Sequence, residues 1–435
     1  MQINHFFFVV GGGRGLGAAV GAALLGLALS GCAWAPAASA PAAGVSVTQA
    51  LGTPLAADWR NPWPEGAVPA QAPAQAPPAQ APEQTAPALP APAQAYPAPA
   101  ELAHWWRAFD DPALSALIEQ SLQAHTSVRA AQAALQQARA LNAISLAGQG
   151  PQLQASASAQ RAQVGQGSAA SAWRAGLDAS WELDWFGQRR MAEAATAAEV
   201  QAASAQLGHV RVSLAAEVAL TYLEWRALQQ RLGVVQRRLA LQEEFVQIVG
   251  WRVQAGLMSG QDLEQARLNL AQLRATLPEL QAGLGQAEAA LAVLSGRSPQ
   301  TALNLPASGI PVAGAALARA IPADTLLQRP DVQRAQARLA AALARSAQAD
   351  AQRWPTLALG GTLDWRSPRV SDLFDAAALT RTLLLRLVAS LYDGGAARAQ
   401  VQVQQAAAEQ VRIELEAAVL TALREVEHAL LALQA

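Results

Sequence analysis

Between residues 207 and 239 the chain carries a stripe in steps of three and four: Leu207, Val210, Leu214, Val218, Thr221, Trp225, Leu228, Leu232, Val235 and Leu239. The mean spacing is about 3.6, the helical period, which predicts a coiled-coil helix from near Gly187 to Gly250. About sixty residues at roughly 1.5 Å each span some 90 Å, longer than a compact domain needs. The segment Ala255-Gly256-Leu257-Met258-Ser259-Gly260 reads as a turn, and a helix returns from Asp262 to Leu294, with a cap at Gln261-Asp262. A different period governs 151–164. There Leu153, Ala155, Ala157 and Ala159 alternate with Gln152, Gln154, Ser156, Ser158 and Gln160, a two-faced strand. Small apolar residues on one face and polar ones on the other fit a transmembrane barrel strand, and equally an ordinary half-buried hairpin.

The pattern occurs twice. VRAAQAAL at 128–135 matches VQRAQARL at 332–339, and Pro151-Gln152-Leu153 matches Pro355-Thr356-Leu357, both 204 residues apart. Glu217-Val218 matches Glu425-Val426 at 208. A period near 205 is too long for a solenoid and means two copies of one large unit. Each unit reads as helix, strand, loop, strand and long helix. The strands fall at 151–164, 172–186, 355–365 and 381–393. Asp111 caps a helix beginning at Pro112 and running to about Leu146, with His125 on its solvated face.

The first residues form an apolar run behind Arg14 that ends in Leu29-Ser30-Gly31-Cys32. Residues 1–31 read as an export signal, and Cys32, the sole cysteine, stands at the end of a bacterial lipobox. Its expected modification is covalent: a diacylglycerol on the thiol and an N-acyl chain on the new terminus. Ala33 after it favours passage to the outer membrane. Residues 32–100 are a lipidated terminus followed by a Pro/Ala/Gln-rich spacer, where proline density forbids helix and sheet. The glycines at 11–17 lack phosphate-loop spacing.

Composition narrows the function. Alanine is about a quarter of the 435 residues, which suits closely packed helices better than a thick core. Lys+Arg 31 against Asp+Glu 32 leaves a net charge of -1, which excludes a generally basic nucleic-acid binder. One cysteine excludes a disulfide framework. His5, His104, His125, His209 and His428 show no metal-ligand spacing, and no metal or other cofactor is expected. Glu182 and Asp184 share a strand face, but with Asp178 they fit a water-facing junction of barrel and helices better than acid–base catalysis.

Several segments together resemble the TolC-type outer membrane factors, in particular the NodT-like lipoprotein branch serving tripartite efflux. They are HWWRAFDDPALSALIEQSL at 104–122, DASWELDWFGQRR at 178–190, GLMSGQDLEQARLNL at 256–270, LAVLSGRSP at 291–299, IPADTLLQRPDV at 321–332, LYDGGAARAQV at 391–401 and REVEHAL at 424–430. The resemblance implies a mainly α fold with transmembrane β. Four strands per chain would contribute to a homotrimeric 12-stranded barrel in the outer membrane of a Gram-negative bacterium. The long helices would form a coiled-coil tunnel extending into the periplasm. It also implies two partners, a periplasmic membrane-fusion adaptor and an inner-membrane pump that drives passive export through the duct. Gly256, Leu257, Met258, Ser259 and Gly260 occupy a helical tip and are the expected adaptor contact.

The first repeat spans 101–300, with a hairpin at 151–186 and helices at 187–294. The second spans 308–435, with a hairpin at 355–393 and a helix at 394–435. Against the family pattern the second lacks its returning helix, so an apparently truncated C-terminus is expected, with Val411, Leu415, Leu423, Val426 and Leu430 left as a bare apolar edge. The alternative function is a non-conducting envelope scaffold lipoprotein or an inactive product.

Overall fold

A computed structural model describes residues 104–306, 308–312 and 323–434. The expected signal, Cys32 and the spacer to residue 100 lie outside the described residues. In chain order the elements are α1 (Pro112–Ala124), α2 (Thr126–Ala147), β1 (Gln152–Ala162), β2 (Ala170–Leu183), α3 (Gln188–Gln254), α4 (Gly260–Ala275), α5 (Leu277–Leu294), α6 (Pro330–Ala351), β3 (Thr356–Ser367), β4 (Leu379–Val388) and α7 (Ala396–Gln434). Short 3-10 helices occur at Trp105–Phe109, Ala323–Gln328, Val370–Asp372 and Ala376–Ala378.

The internal spacing is regular to the residue. α2 and α6 are both 22 residues long and start 204 apart, as do β1 and β3. α3 and α7 start 208 apart. Each is preceded by a glycine in the left-handed region, Gly187 (φ 83°) and Gly395 (φ 89°), a conformation that any side chain would strain.

Several expectations are corrected. The helix from Pro112 is not continuous, because His125 leaves it with extended backbone (φ −64°, ψ 139°). Its Nδ1 lies 2.7 Å from Ser127 Oγ and accepts from Ser127 N at 3.3 Å, a local bond that competes with helix continuation. His125 is therefore a half-buried junction residue. The returning helix is also divided, at Thr276, where Pro278 lacks the N–H that an uninterrupted helix needs. Its cap is Ser259 rather than Gln261-Asp262. Finally, the stripe on α7 is not bare: Leu415 is fully buried, and Val411, Leu423, Val426 and Leu430 are half-buried.

The chain divides into two compact units, each drawing on both halves of the sequence. One gathers Ala134–Ala205 and Asp331–Leu420 and holds the only sheet among the described residues, a meander ordered β1-β2-β3-β4. All three pairings are antiparallel. The other gathers the described residues of Leu55–Ala133, Gln206–Pro330 and Thr421–Ala435. Its core packs Trp106, Leu114 and Ile118 against Leu214, Val218 and Tyr222 of the predicted stripe region and against Leu291 of α5.

Asp111, Tyr222 and Arg226 form a polar knot inside that core. Asp111 Oδ1 caps α1 by accepting from Ala113 N (2.8 Å) and Leu114 N (3.1 Å). Tyr222 donates its hydroxyl to Asp111 Oδ2 at 2.8 Å and accepts from Arg226 Nε (3.0 Å) and Nη2 (2.6 Å). The guanidinium, 1% exposed, also lies over the rings of Tyr222 and Trp225 at 5.0 and 4.8 Å. Burial pushes the Tyr222 hydroxyl above its ordinary value.

Candidate functional site: a two-faced sheet and a capped hairpin

The strand registers sort every side chain of the sheet to one of two faces. On one lie Leu153, Ala155, Ala157 and Ala159 of β1, and opposite them Ala179, Leu177, Ala175 and Trp173 of β2. The same face continues through Leu357, Leu359, Gly361, Leu363 and Trp365 of β3 to Leu387, Leu385, Leu383, Arg381 and Leu379 of β4. It is a nearly unbroken apolar surface. Leu153, Leu383 and Leu387 are 71%, 72% and 68% exposed. Trp173 and Trp365 stand toward one end and Trp181 toward the other.

The opposite face carries charge. Arg174 donates from Nη2 to Asp178 Oδ1 (3.0 Å) and from Nε to Asp364 Oδ2 (3.2 Å). Ser156 Oγ donates to Asp178 Oδ2 at 2.8 Å, and Arg366 Nη2 lies 3.4 Å from Asp364. This network stitches β1, β2 and β3 together. It depends on Gly176, which sits opposite Asp364, where an added Cβ would come within 2.6 Å of Asp364 Cβ and 2.8 Å of Leu363 O. Nothing in the sequence pattern marks Gly176, Asp364 or Arg366 as partners; only the register does.

At the strand-to-helix junction Asp184 accepts from Arg189 N and Arg190 N, both at 3.0 Å, and so caps α3. β2 ends at Leu183, so Asp184 and Glu182 do not share a strand face. Arg189 pairs with Glu182 at 2.6 Å and donates to Gly148 O, while Trp181 Nε1 donates to Gln149 O at 2.8 Å. Phe186 stacks on Trp354 with centroids 5.4 Å apart. The three acidic residues singled out above are thus each engaged by an arginine.

Of the five expected tip residues, Gly256, Leu257, Met258 and Ser259 form the turn between α3 and α4, and Gly260 is the first residue of α4. Gly256, at φ 73°, closes α3: Leu257 N donates to Arg252 O at 2.8 Å and Gly256 N to Val253 O at 3.0 Å. Ser259 and Asp262 then form a reciprocal capping box that opens α4. These hydrogen bonds hold the Asp262 carboxyl below its ordinary value. Leu257 is 75% exposed, and Met258 is half-buried.

Among the described residues no helix is long and apolar enough to cross a membrane, a statement that concerns helices and not the sheet. Among the same residues no group of three or more His, Cys, Asp or Glu could hold a metal ion.

Comparison with known proteins places this architecture. The chain is similar to pyoverdine export outer membrane protein OpmQ of Pseudomonas putida, 31% identical over 350 residues that cover 76% of this chain and 72% of that protein. It is 29% identical over 343 residues to toluene efflux pump outer membrane protein TtgF of Pseudomonas putida, covering 77% of this chain and 70% of that one. Among solved structures, the outer-membrane channel OprN matches with a TM-score of 0.72 at 32% identity, covering 75% of each chain. The family pattern described as outer membrane efflux protein matches residues 117–297 and 321–435, most of the described chain, and the protein belongs to that family of outer membrane efflux proteins.

Proposed function

We propose that three copies of this chain close one 12-stranded barrel and serve as the outer-membrane exit duct of a tripartite efflux system. The observation that carries this reading is the two-faced sheet with two open edges. Of the sheet's two faces, the charged one is knit by ion pairs, while on the apolar one Leu153, Leu383 and Leu387 stay largely exposed among the described residues. Lipid would cover the apolar face, and the charged face would line water, the arrangement of an outer-membrane barrel. The free edges of β1 and β4 would be satisfied by other copies, because closure leaves no edge unpaired in lipid. The offsets of 204 and 208 support two internal repeats, each supplying one hairpin.

In this reading the long helices extend into the periplasm, and Gly256, Leu257, Met258, Ser259 and Gly260 meet a periplasmic adaptor that connects to an inner-membrane pump. The chain belongs to the lipoprotein branch, with Cys32 carrying the acyl chains that add a second hold on the membrane. Drugs or other small solutes cross passively; relatives bear names for pyoverdine and toluene export. Purified protein in a planar bilayer tests the duct. Discrete conductance steps are expected, and a bilayer left silent by membrane-inserted protein would overturn the reading in favour of a non-conducting scaffold.

A further inference from the structure

The seam between copies has a register that can be read from the seam inside the chain. β1 and β3 correspond at 204 residues. Ala155 pairs with Leu177 in the first hairpin, and its counterpart Leu359 pairs with Leu385 in the second. Residues of β2 therefore correspond to residues of β4 at 208. The same offset separates the starts of α3 and α7 and the left-handed glycines Gly187 and Gly395. Two independent features, the strand ladders and the helix starts, thus give one number.

Inside the chain the second strand of the first hairpin, β2, pairs with the first strand of the second hairpin, β3. Leu177 faces Leu363, Asp178 faces Thr362, and Leu183 faces Leu357. Applying the two offsets converts this seam into one between β4 and the β1 of another copy. We infer that β4 pairs antiparallel with β1 of the neighbouring copy, with Leu385 opposite Ala159, Arg386 opposite Ser158, and Leu391 opposite Leu153. The inference rests on the shared-barrel reading and adds its residue-level register.

Two observations bear on it. First, the transferred register keeps the faces: Leu383, Leu385 and Leu387 fall beside Arg161, Ala159 and Ala157, on the apolar face already traced through all four strands. A slip of one residue would turn every β4 leucine on that face toward the charged one. Second, β4 stops at Val388, although its counterpart β2 runs to Leu183, equivalent to Leu391. Leu391 and Tyr392 are left 97% and 91% exposed. The neighbouring β1 extends far enough to pair the missing residues, so β4 lengthens to Leu391 in the assembly.

The seam is not a copy of the internal one. Where Gly176 faces Asp364 inside the chain, Leu384 faces Gln160 between copies, and the arginine–aspartate stitch has no equivalent there. The seam between copies is held by the ladder and the apolar face.

Cysteine pairs in the full-length chain in outer membranes test the register. Ser158→Cys with Arg386→Cys is the matched pair. Ser158→Cys with Leu384→Cys, and Ser158→Cys with Val388→Cys, are slipped by two and keep the same face. Directly opposite side chains lie within disulfide reach, whereas diagonal ones stand about 7–8 Å apart. Ser180→Cys with Gly360→Cys, opposite each other in the internal seam, reports by loss of maleimide labelling that the sheet has formed. Mild oxidation should convert the matched pair to covalent multimers on a non-reducing gel and leave both slipped pairs as single chains. Multimers from a slipped pair instead would overturn the register while leaving the shared barrel intact. Single chains from all three, beside an oxidised internal pair, would overturn the shared barrel itself.

Discussion

Gly176→Ala asks whether the internal seam tolerates one methyl group. The backbone there is not in the left-handed region, so the requirement for glycine is spatial. The new Cβ would lie 2.6 Å from Asp364 Cβ, 2.8 Å from Leu363 O and 2.9 Å from Asp364 Cα. Two of these are backbone atoms and cannot swing aside. Restoring an ordinary 3.4 Å contact requires about 0.8 Å of strand separation, which stretches a ladder hydrogen bond from about 2.9 to about 3.7 Å. Overpacking of this kind costs about 1–3 kcal/mol. At about 2–4 °C per kcal/mol for a cooperative unit of 150–250 residues, the melting temperature should fall by several degrees. Gly360→Ala is the control. It lies on the same face in β3, its nearest neighbours would be 3.9 Å from the new Cβ, and replacing a strand glycine should stabilise by about 0.5–1 kcal/mol. Adding Asp364→Gly to Gly176→Ala should recover only part of the loss, because Leu363 O remains. Thermal unfolding followed by circular dichroism in detergent reads all three. If Gly176→Ala melts at or above the parent, or Gly360→Ala falls as far, the steric argument is wrong.

The other expectations concern the buried knot, the hairpin and the anchor. Tyr222→Phe removes the hydroxyl that links Arg226 to Asp111 and should cost about 1–3 kcal/mol in denaturant unfolding, whereas Tyr222→Phe with Arg226→Leu should recover much of it. Because the folded-state pKa of Tyr222 is raised, its contribution is intact below the ordinary value of 10.0 and is lost as the pH climbs above it; unchanged melting across that range would contradict the burial argument. Ser259→Ala should loosen the start of α4 by about 1 kcal/mol, seen as faster amide exchange over 259–263. Asp262 is shifted the other way, so its part of the cap holds above the ordinary carboxylate range and is lost as the pH falls through its depressed value; exchange at these amides that does not respond to acid would refute it. Cys32→Ala should abolish incorporation of labelled palmitate, and persistent labelling would sink the assignment.

The parts of the fold that repeat were legible in the sequence. The 204-residue match at Pro151 and Pro355 locates both hairpins, and the stripe from Leu207 to Leu239 locates α3, because period and recurrence are properties of the string itself. Local competition was harder to read. The break at His125 turns on a histidine nitrogen outbidding a helix bond, and the break at Thr276 on the N–H that Pro278 lacks. The cap of α4 fell on Ser259 because its hydroxyl and Asp262 serve each other's backbone. Long-range pairs were not legible at all: Asp111 and Tyr222 are separated by 111 residues, and Arg174 and Asp364 by 190. Such pairs become neighbours only once the register is fixed.

The tryptophans on the apolar face set a ruler. Trp173 and Trp181 stand eight residues apart on β2, about 27 Å of strand. Barrel strands tilt by about 35–45°, so the two indole levels would be separated by about 20 Å along the membrane normal. A typical bilayer has a hydrocarbon core of about 30 Å, while the bacterial outer membrane is thinner than average. Between those indoles the face of β2 is leucine and alanine, and beyond the Trp173 end lies Arg161 of β1, opposite Ser171. In a thicker bilayer Arg161 would be drawn into hydrocarbon, at a cost that grows with depth. The spacing of two rings therefore acts as an address, making the thin outer membrane a better resting place for this sheet than the thicker bilayer it would first have to cross.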